Sequence, residues 1–264
     1  MQAVIGTTRK GYGSILHDRV QECAVQAGLH AHVTVERQEK GTWVSMEWRG
    51  APDAFARSMA PLIVEDLRSF LLMERMVEKA RHLPAESQVL AWLEACQDAR
   101  PLEERWKTAA AAQILDHMGV AVAQCRPLTL LPEGIVRFRM QPWQEELDRV
   151  VADALTLTQR KREMRPWANV LREWLDKQPI CLEEVRVQRR NGQWALSGNR
   201  AMEGLQRLES MYSRQGVGVE ERLVGILMGL IPRKVLWYGS RDDLRKLPLL
   251  SMVFGDRVEC QTFS

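Results

Sequence analysis

The sequence contains no apolar run long enough to cross a membrane. Its longest such run, 223–231, has nine residues and includes two glycines, whereas a spanning helix needs roughly 18 or more. The first residues do not form a charged region followed by an apolar run and a cleavage site, so no export signal is predicted. We therefore expect a globular, cytoplasmic protein without a membrane span.

Cysteine is scarce and is not arranged in pairs. The 264 residues include five cysteines, and no two of them have the C-x-x-C spacing. A disulfide framework or a structural zinc site needs paired cysteines. We therefore expect reduced thiols, as is typical of cytoplasmic proteins.

A strong excess of one charge is also missing. Lys and Arg number 37, Asp and Glu number 34, and the net charge is +3. Dedicated nucleic-acid binders usually carry a clustered basic excess, so the composition disfavours nucleic acid as the main partner.

No complete catalytic or ligand-binding motif is present. The sequence lacks G-x-S-x-G and H-E-x-x-H, the usual marks of a serine hydrolase and a zinc protease. Segment 6–14 has the glycine spacing of a phosphate-binding loop, but Tyr12 and Gly13 stand where that motif needs Lys and Ser or Thr. His30 and His32 share one side of a predicted strand without a full set of metal ligands. We therefore predict no catalytic residue, no cofactor and no metal.

The apolar spacing predicts an α+β fold with a helical centre. With 45% hydrophobic residues the chain can bury a sizeable core. A small N-terminal β-α-β-β unit precedes three helices, and the first of these has an apolar stripe wide enough to be central. The predicted elements are strand 3–5, helix 15–27, strands 29–35 and 44–48, and helices 62–80, 86–98 and 102–122. Two prolines and a glycine make 126–134 the best linker candidate.

The second half opens with a predicted strand and a long helix. Residues 135–140 alternate in polarity, and a helix follows from Pro142. Its apolar phase slips near Pro166, which predicts a kink or two helices meeting near Met164. The tryptophans that follow this phase are assigned to the core: Trp143, Trp167 and Trp174. Trp43, by contrast, is out of phase with its strand and is a candidate exposed contact residue.

A hairpin and a β-α-β unit complete the predicted fold as a C-terminal sheet. Asn191-Gly192 is the preferred two-residue hairpin turn, and it pairs Val187 with Leu196. The remaining elements are helix 219–230, strand 235–238, a helix over 240–254 capped by Ser240, and strand 257–260. Two strands joined through a helix usually run parallel. By composition the chain divides into a small α/β segment (1–50), a helical region (51–130) and an α+β region (131–264), or forms one continuous domain.

Three runs of the second half carry a distinctive pattern. They are VRFRMQPWQEELDRVVADAL, VGVEERLVGILMGLIPRKVLWYG and LLSMVFGDRVEC. In this order they resemble the YtxC-like sporulation proteins of endospore-forming bacteria. The resemblance implies a cytosolic, sporulation-associated protein and supplies no catalytic residue. The signature positions, to which it assigns no role, are Glu221, Leu223, Pro232, Gly255, Asp256 and Arg257. One departure is Met164, where the family usually has a tyrosine that could donate a hydrogen bond.

Basic residues cluster at two places in the same half. The positions suited to anion or nucleic-acid contacts are Arg160, Lys161, Arg162, Arg165, Arg186 and Arg190. Arginines near Trp167 and Trp194 suit phosphates and unstacked bases. A helix-end charge cluster and a cation–π pair between Arg189 and Trp194 would explain the same residues without a ligand.

Three functions are compatible with these features. We expect a non-enzymatic accessory protein that acts through contacts with a protein partner of unknown identity. The first alternative is a nucleic-acid-binding protein that uses the arginine clusters at 160–165 and 186–190. The second is an enzyme or nucleotide binder whose site is assembled from residues distant in the sequence.

Overall fold

The computed structural model describes residues 2–38, 41–190, 193–197 and 218–261 of the chain. These residues form helices and two four-stranded sheets, which confirms the predicted α+β class. The chain divides into two compact units, Met1–Leu155 and Thr156–Ser264, and each unit has its own hydrophobic core. The division into 1–50, 51–130 and 131–264 stays a prediction.

The first unit contains a mixed sheet. Its strands are β1 (Gln2–Thr7), β2 (His30–Gln38), β3 (Gly41–Arg49) and β4 (Leu128–Leu130). Their order is β2-β3-β1-β4, and β1 is antiparallel to β3 and parallel to β4. Every second residue is buried along part of each central strand: Ala3 and Ile5 in β1, and Val44 and Met46 in β3. This is the period of two that the sequence pattern predicts. Segment 126–134 is not a linker, because Leu128 and Leu130 are buried and it supplies an edge strand.

The rest of the first unit is helical. Its helices are α1 (Lys10–Gly13), α2 (Leu16–Gln26), α3 (Pro52–Pro61), α4 (Leu67–Lys79), α5 (Ala85–Ala99), α6 (Glu103–Ala123) and α7 (Pro132–Arg139). A π-helical turn, Leu62–Asp66, joins α3 to α4. The predicted central position of 62–80 is confirmed for Leu67 and Met76, which are buried. It is wrong for Met73 and Val77, which are about half exposed.

Residues 135–139 lie in helix α7 and do not form the predicted strand. Pro132 occupies the first turn of this helix, where its missing N–H is tolerated. Ile135 and Val136 are both buried, whereas Phe138 is exposed. A strand would place Val136 and Phe138 on the same face. The alternating run is short enough to fit both periods, and the helical one is correct.

Helix α8 (Gln141–Lys177) contains the boundary between the two units. It continues through Pro166, so the alternative of two separate helices is wrong. Trp143 is buried, as predicted. Among the residues that the structure describes, no helix is both long and apolar enough to cross a membrane.

The two later tryptophans of α8 are not in the core. Trp167 is 72% exposed and Trp174 is 44% exposed, so the prediction that they are core residues is wrong. The core face of this part of the helix is instead formed by Ala168 and Leu175, which are buried in the second unit.

The second unit contains the predicted C-terminal sheet. Its strands are β5 (Leu182–Arg190), β6 (Gln193–Ser197), β7 (Pro232–Tyr238) and β8 (Val258–Cys260), in the order β6-β5-β7-β8. Val187 pairs with Leu196, which confirms the predicted hairpin register. The Asn191-Gly192 turn itself lies outside the described residues. Strands β7 and β8 run parallel, as predicted, and β5 also runs parallel to β7.

In the described part of the second unit, three helices follow α8 along the chain. They are α9 (Val219–Leu230), α10 (Arg241–Arg245) and α11 (Pro248–Phe254). The single helix predicted over 240–254 is wrong, because Pro248 begins a separate helix. The predicted cap is confirmed: the Ser240 hydroxyl accepts the backbone N–H of Asp243 at 3.0 Å.

Candidate functional site

Glu220, near the start of α9, is a buried carboxylate of the second unit. Its side chain is only 2% exposed. One carboxylate oxygen, Oε1, accepts the backbone N–H groups of Leu249 at 2.6 Å and Leu250 at 3.3 Å. These donors belong to the first turn of α11, where backbone N–H groups have no partner within the helix. Glu220 therefore caps a helix that begins 28 residues later, at Pro248.

The second oxygen of Glu220 binds an arginine of α8. The Arg160 Nη2 lies 2.6 Å from Glu220 Oε2 and 3.3 Å from Glu221 Oε1. Burial raises the pKa of Glu220, while the two backbone N–H donors and Arg160 act in the opposite direction. A buried carboxylate needs such partners, because leaving it unpaired would be strongly destabilising.

Arg257, from the FGDRV part of the signature, connects three segments. Its guanidinium donates to Asp176 at 2.9 Å, at the end of α8, and to the carbonyl oxygen of Pro232 at 3.2 Å, at the start of β7. Gly255 has a φ of +47°, and a Cβ there would lie 3.4 Å from the guanidinium of Arg172. This conformation favours glycine.

The other signature residues differ in how exposed they are to solvent. Leu223 and Pro232 are buried, Glu221 is half-buried and Asp256 is exposed. Within the second unit, Leu223 fills the core, and Arg257 connects the start of β7 to the end of α8.

Two of the predicted anion-contact residues, Arg160 and Arg186, already pair with carboxylates. Arg160 forms ion pairs with Glu220 and Glu221. The Arg186 guanidinium lies 3.2 Å from the carboxylate of Glu184. Lys161 also takes part in an interaction. The side chain of Arg190 lies outside the described residues. Arg162 and Arg165 are exposed, and the part of the chain that the structure describes offers them no ion-pair partner.

The tryptophans near these arginines are arranged differently from the prediction. Trp167 follows Arg165 by two residues, and side chains two apart on a helix do not face each other. Trp194 packs on the buried Trp237, with ring centroids 4.2 Å apart. The Arg189 guanidinium lies 5.8 Å from the Trp194 ring, which confirms the proposed cation–π pair.

Three residues of the glycine-rich segment 6–14, Gly6, Arg9 and Tyr12, make contacts within the first unit. The ring of Trp43 lies against Gly6, where a Cβ would overlap it, so Trp43 is half-buried and is not an exposed contact residue. Arg9 donates to both carboxylate oxygens of Glu74. Tyr12 is buried, and its hydroxyl donates to Asp66 at 3.0 Å.

The strand histidines do not form a metal site in the described part of the chain. His32 is exposed and pairs across the sheet with Glu47, while the side chain of His30 is not described. Over residues 2–38, 41–190, 193–197 and 218–261, no group of three or more His, Cys, Asp or Glu side chains could hold a metal ion.

A second surface of α8 carries an exposed apolar stripe. We call Trp167, Val170 and Trp174 the tryptophan stripe. Their steps of three and four place them on one face of the helix, and they are 72%, 61% and 44% exposed. The neighbouring face, with Ala168 and Leu175, belongs to the core. Large exposed apolar patches are typical of interaction surfaces, which makes the tryptophan stripe a candidate for one.

Sequence reasoning missed Glu220 and the tryptophan stripe for different reasons. Glu220 lies in the same helical phase as Leu223, Val224 and Leu227, so its burial could have been predicted from that phase. The stripe follows an apolar phase as well, but periodicity cannot show whether a face is covered.

The geometry defines a helix-rich α+β protein with two four-stranded sheets. A family model described as the YtxC-like family matches residues 103–259, which is more than half of the chain. The chain therefore belongs to the YtxC-like family, which suggests a sporulation-associated protein. No curated protein and no solved structure matches the chain significantly.

Proposed function

We propose that this protein is a non-enzymatic accessory of sporulation that acts through protein contacts. The observation that supports this most directly is the tryptophan stripe, which lies inside the family-matched region. Trp side chains supply large contact areas and are enriched among the residues that dominate protein interfaces. Two of them on one exposed helix face are well suited to bind another protein.

Nucleic-acid binding has weaker support. Arg160 and Arg186 have carboxylate partners, and releasing them for phosphate contacts would break those pairs. Trp194 already packs on Trp237 and lies beside Arg189, which limits its use as a platform for bases. The exposed Arg162 and Arg165 remain as candidate phosphate contacts.

The test is capture of partners from sporulating cells by the immobilised full chain, with and without nuclease. We expect proteins that are retained after nuclease treatment and are lost from a Trp167→Ala/Trp174→Ala variant. The matched control is Arg162→Ala/Arg165→Ala, which changes exposed residues of the same helix and should retain them.

The opposite pattern would support the alternative. Nucleic acid recovered by the wild-type chain and lost from the arginine variant would contradict the proposal. Binding would then weaken with salt, with a logarithmic slope of about −0.9 per phosphate contact on duplex DNA.

A further inference from the structure

We infer that the tryptophan stripe binds the same stripe of a second copy, so that two chains associate through antiparallel α8 helices. This inference rests on the proposed function, because it names the occupant of the same surface. It is carried by the apolar spacing of the stripe and by the charges at its two ends.

The apolar spacing fits a helix-to-helix contact. Trp167, Val170 and Trp174 are separated by three and four residues, which is the spacing of a seam between two packed helices. In an antiparallel pair centred on Val170, each Trp167 lies beside Trp174 of the second copy. Both exposed tryptophans of each chain then become buried, and Val170 meets itself at the twofold axis.

The charges at the ends of the stripe are self-complementary. Glu163 and Lys177 stand seven residues before and seven residues after Val170. Seven residues are about two helical turns, so both lie on the side of the stripe. Both side chains are exposed, and Glu163 is held on the helix surface by Gln159, whose Nε2 lies 2.9 Å from its carboxylate.

This arrangement selects both the partner and the direction of pairing. In an antiparallel pair, Glu163 faces Lys177 of the second copy, and symmetry repeats the contact at the other end. A parallel pair would instead place like charges opposite each other, which is unfavourable. An unrelated partner would not require opposite charges at equal distances from Val170.

Sedimentation equilibrium of the full chain over a wide concentration range tests this inference. We expect a monomer–dimer equilibrium. Val170→Glu places two carboxylates at the axis and should weaken association at least about a hundredfold, since like charges at an interface cost several kcal/mol. Circular dichroism checks that this variant keeps its helix content, which is expected because Val170 is exposed.

Charge exchange gives a sharper readout. Glu163→Lys alone and Lys177→Glu alone should each weaken the dimer about tenfold, since each turns two ion pairs into like-charge contacts. The double variant should restore association. Arg162→Glu, a charge reversal away from the stripe, is the control and should leave association unchanged.

Three results would overturn the inference: a wild-type chain that stays monomeric, a dimer that Val170→Glu does not weaken, or a double variant that fails to restore association. A monomeric chain whose captured proteins are still lost from Trp167→Ala/Trp174→Ala would overturn only the second-copy inference. The proposed function would then stand with a different occupant of the stripe.

Discussion

The two units of this protein stabilise a poorly exposed carboxylate in different ways. In the first unit, Asp66 accepts from the guanidinium of Arg19 at 2.8–3.0 Å and from the hydroxyl of Tyr12 at 3.0 Å. In the second unit, Glu220 accepts from two backbone N–H groups and one guanidinium. The first carboxylate is thus held by side chains, and the second is held partly by the main chain.

This difference determines what each unit loses when its carboxylate is removed. Arg19 is partly exposed, so water can replace Asp66 around its guanidinium. The N–H groups of Leu249 and Leu250 are buried and cannot turn towards solvent without unwinding the start of α11. An unsatisfied buried donor costs more than a lost contact between hydrated groups. The second unit should therefore be the more sensitive of the two.

The largest effect is expected from Glu220→Ala. It removes the acceptor of two backbone N–H groups and the partner of Arg160, so the free energy of unfolding should fall by about 3 kcal/mol. Urea unfolding followed by circular dichroism measures this loss. Glu221→Ala is the matched control, because Glu221 is adjacent but 39% exposed, and it should cost less than about 0.5 kcal/mol. Equal losses for the two variants would contradict the cap.

A smaller loss is expected from Asp66→Ala in the first unit. Arg19 loses a bidentate partner and the buried Tyr12 hydroxyl loses an acceptor, which should destabilise the fold by about 2 kcal/mol. The same unfolding measurement applies. The control is Glu74→Ala, which removes the partner of Arg9. Glu74 is much more exposed than Asp66, so its loss should change the free energy of unfolding by less than about 0.5 kcal/mol. If Asp66→Ala lowered the free energy of unfolding clearly more than Glu220→Ala, the first unit would be the more sensitive of the two.

Replacing one glycine by alanine in each unit should change stability in opposite directions. Gly255→Ala forces a side chain onto a residue with φ +47° and against Arg172, so it should destabilise by about 1 kcal/mol. Gly119 lies inside α6, where an added Cβ would meet no neighbouring side chain within 4 Å. Gly119→Ala should therefore stabilise, by up to about 1 kcal/mol. Thermal midpoints measured in parallel check both, and a stabilising Gly255→Ala would contradict the assigned conformation.

The sequence alone was sufficient for features that depend on local pattern. The strands around Ile5 and Met46, the hairpin register of Val187 with Leu196 and the Ser240 cap all follow from periodicity or turn chemistry. Their formation depends on residues close in the chain or on one repeated pairing. The family was likewise identified from short runs of residues.

Features that depend on tertiary contacts were not predictable in the same way. The run 135–140 fits both a strand and a helix, and the choice is made by packing of Ile135 and Val136 in the core. Glu220 is linked to Leu249 across 29 residues, which no local pattern encodes. Trp167 and Trp174 obey helical spacing, but whether they are covered depends on neighbours that the spacing does not specify.

The smallest expected effect concerns the reactivity of the cysteines, which can be measured without any substitution. In the first unit, Cys23 is buried in the core, Cys96 is half-buried and Cys125 is exposed. In the second unit, Cys181 and Cys260 are exposed. Burial raises the pKa of Cys23 to about 11, so its reactive thiolate is rare at neutral pH. We expect a thiol reagent to modify the three exposed cysteines first and Cys23 last, as followed by mass spectrometry of peptides.

The pH dependence makes this last prediction specific to Cys23. Its thiolate fraction should rise about tenfold for each pH unit up to a pH near its pKa, so its modification rate should keep increasing through the alkaline range. The control is denatured protein purified anaerobically, in which all five thiols should react if they are reduced in the native protein. A Cys23 that reacts as fast as Cys260 in the native state would show that the first unit opens readily.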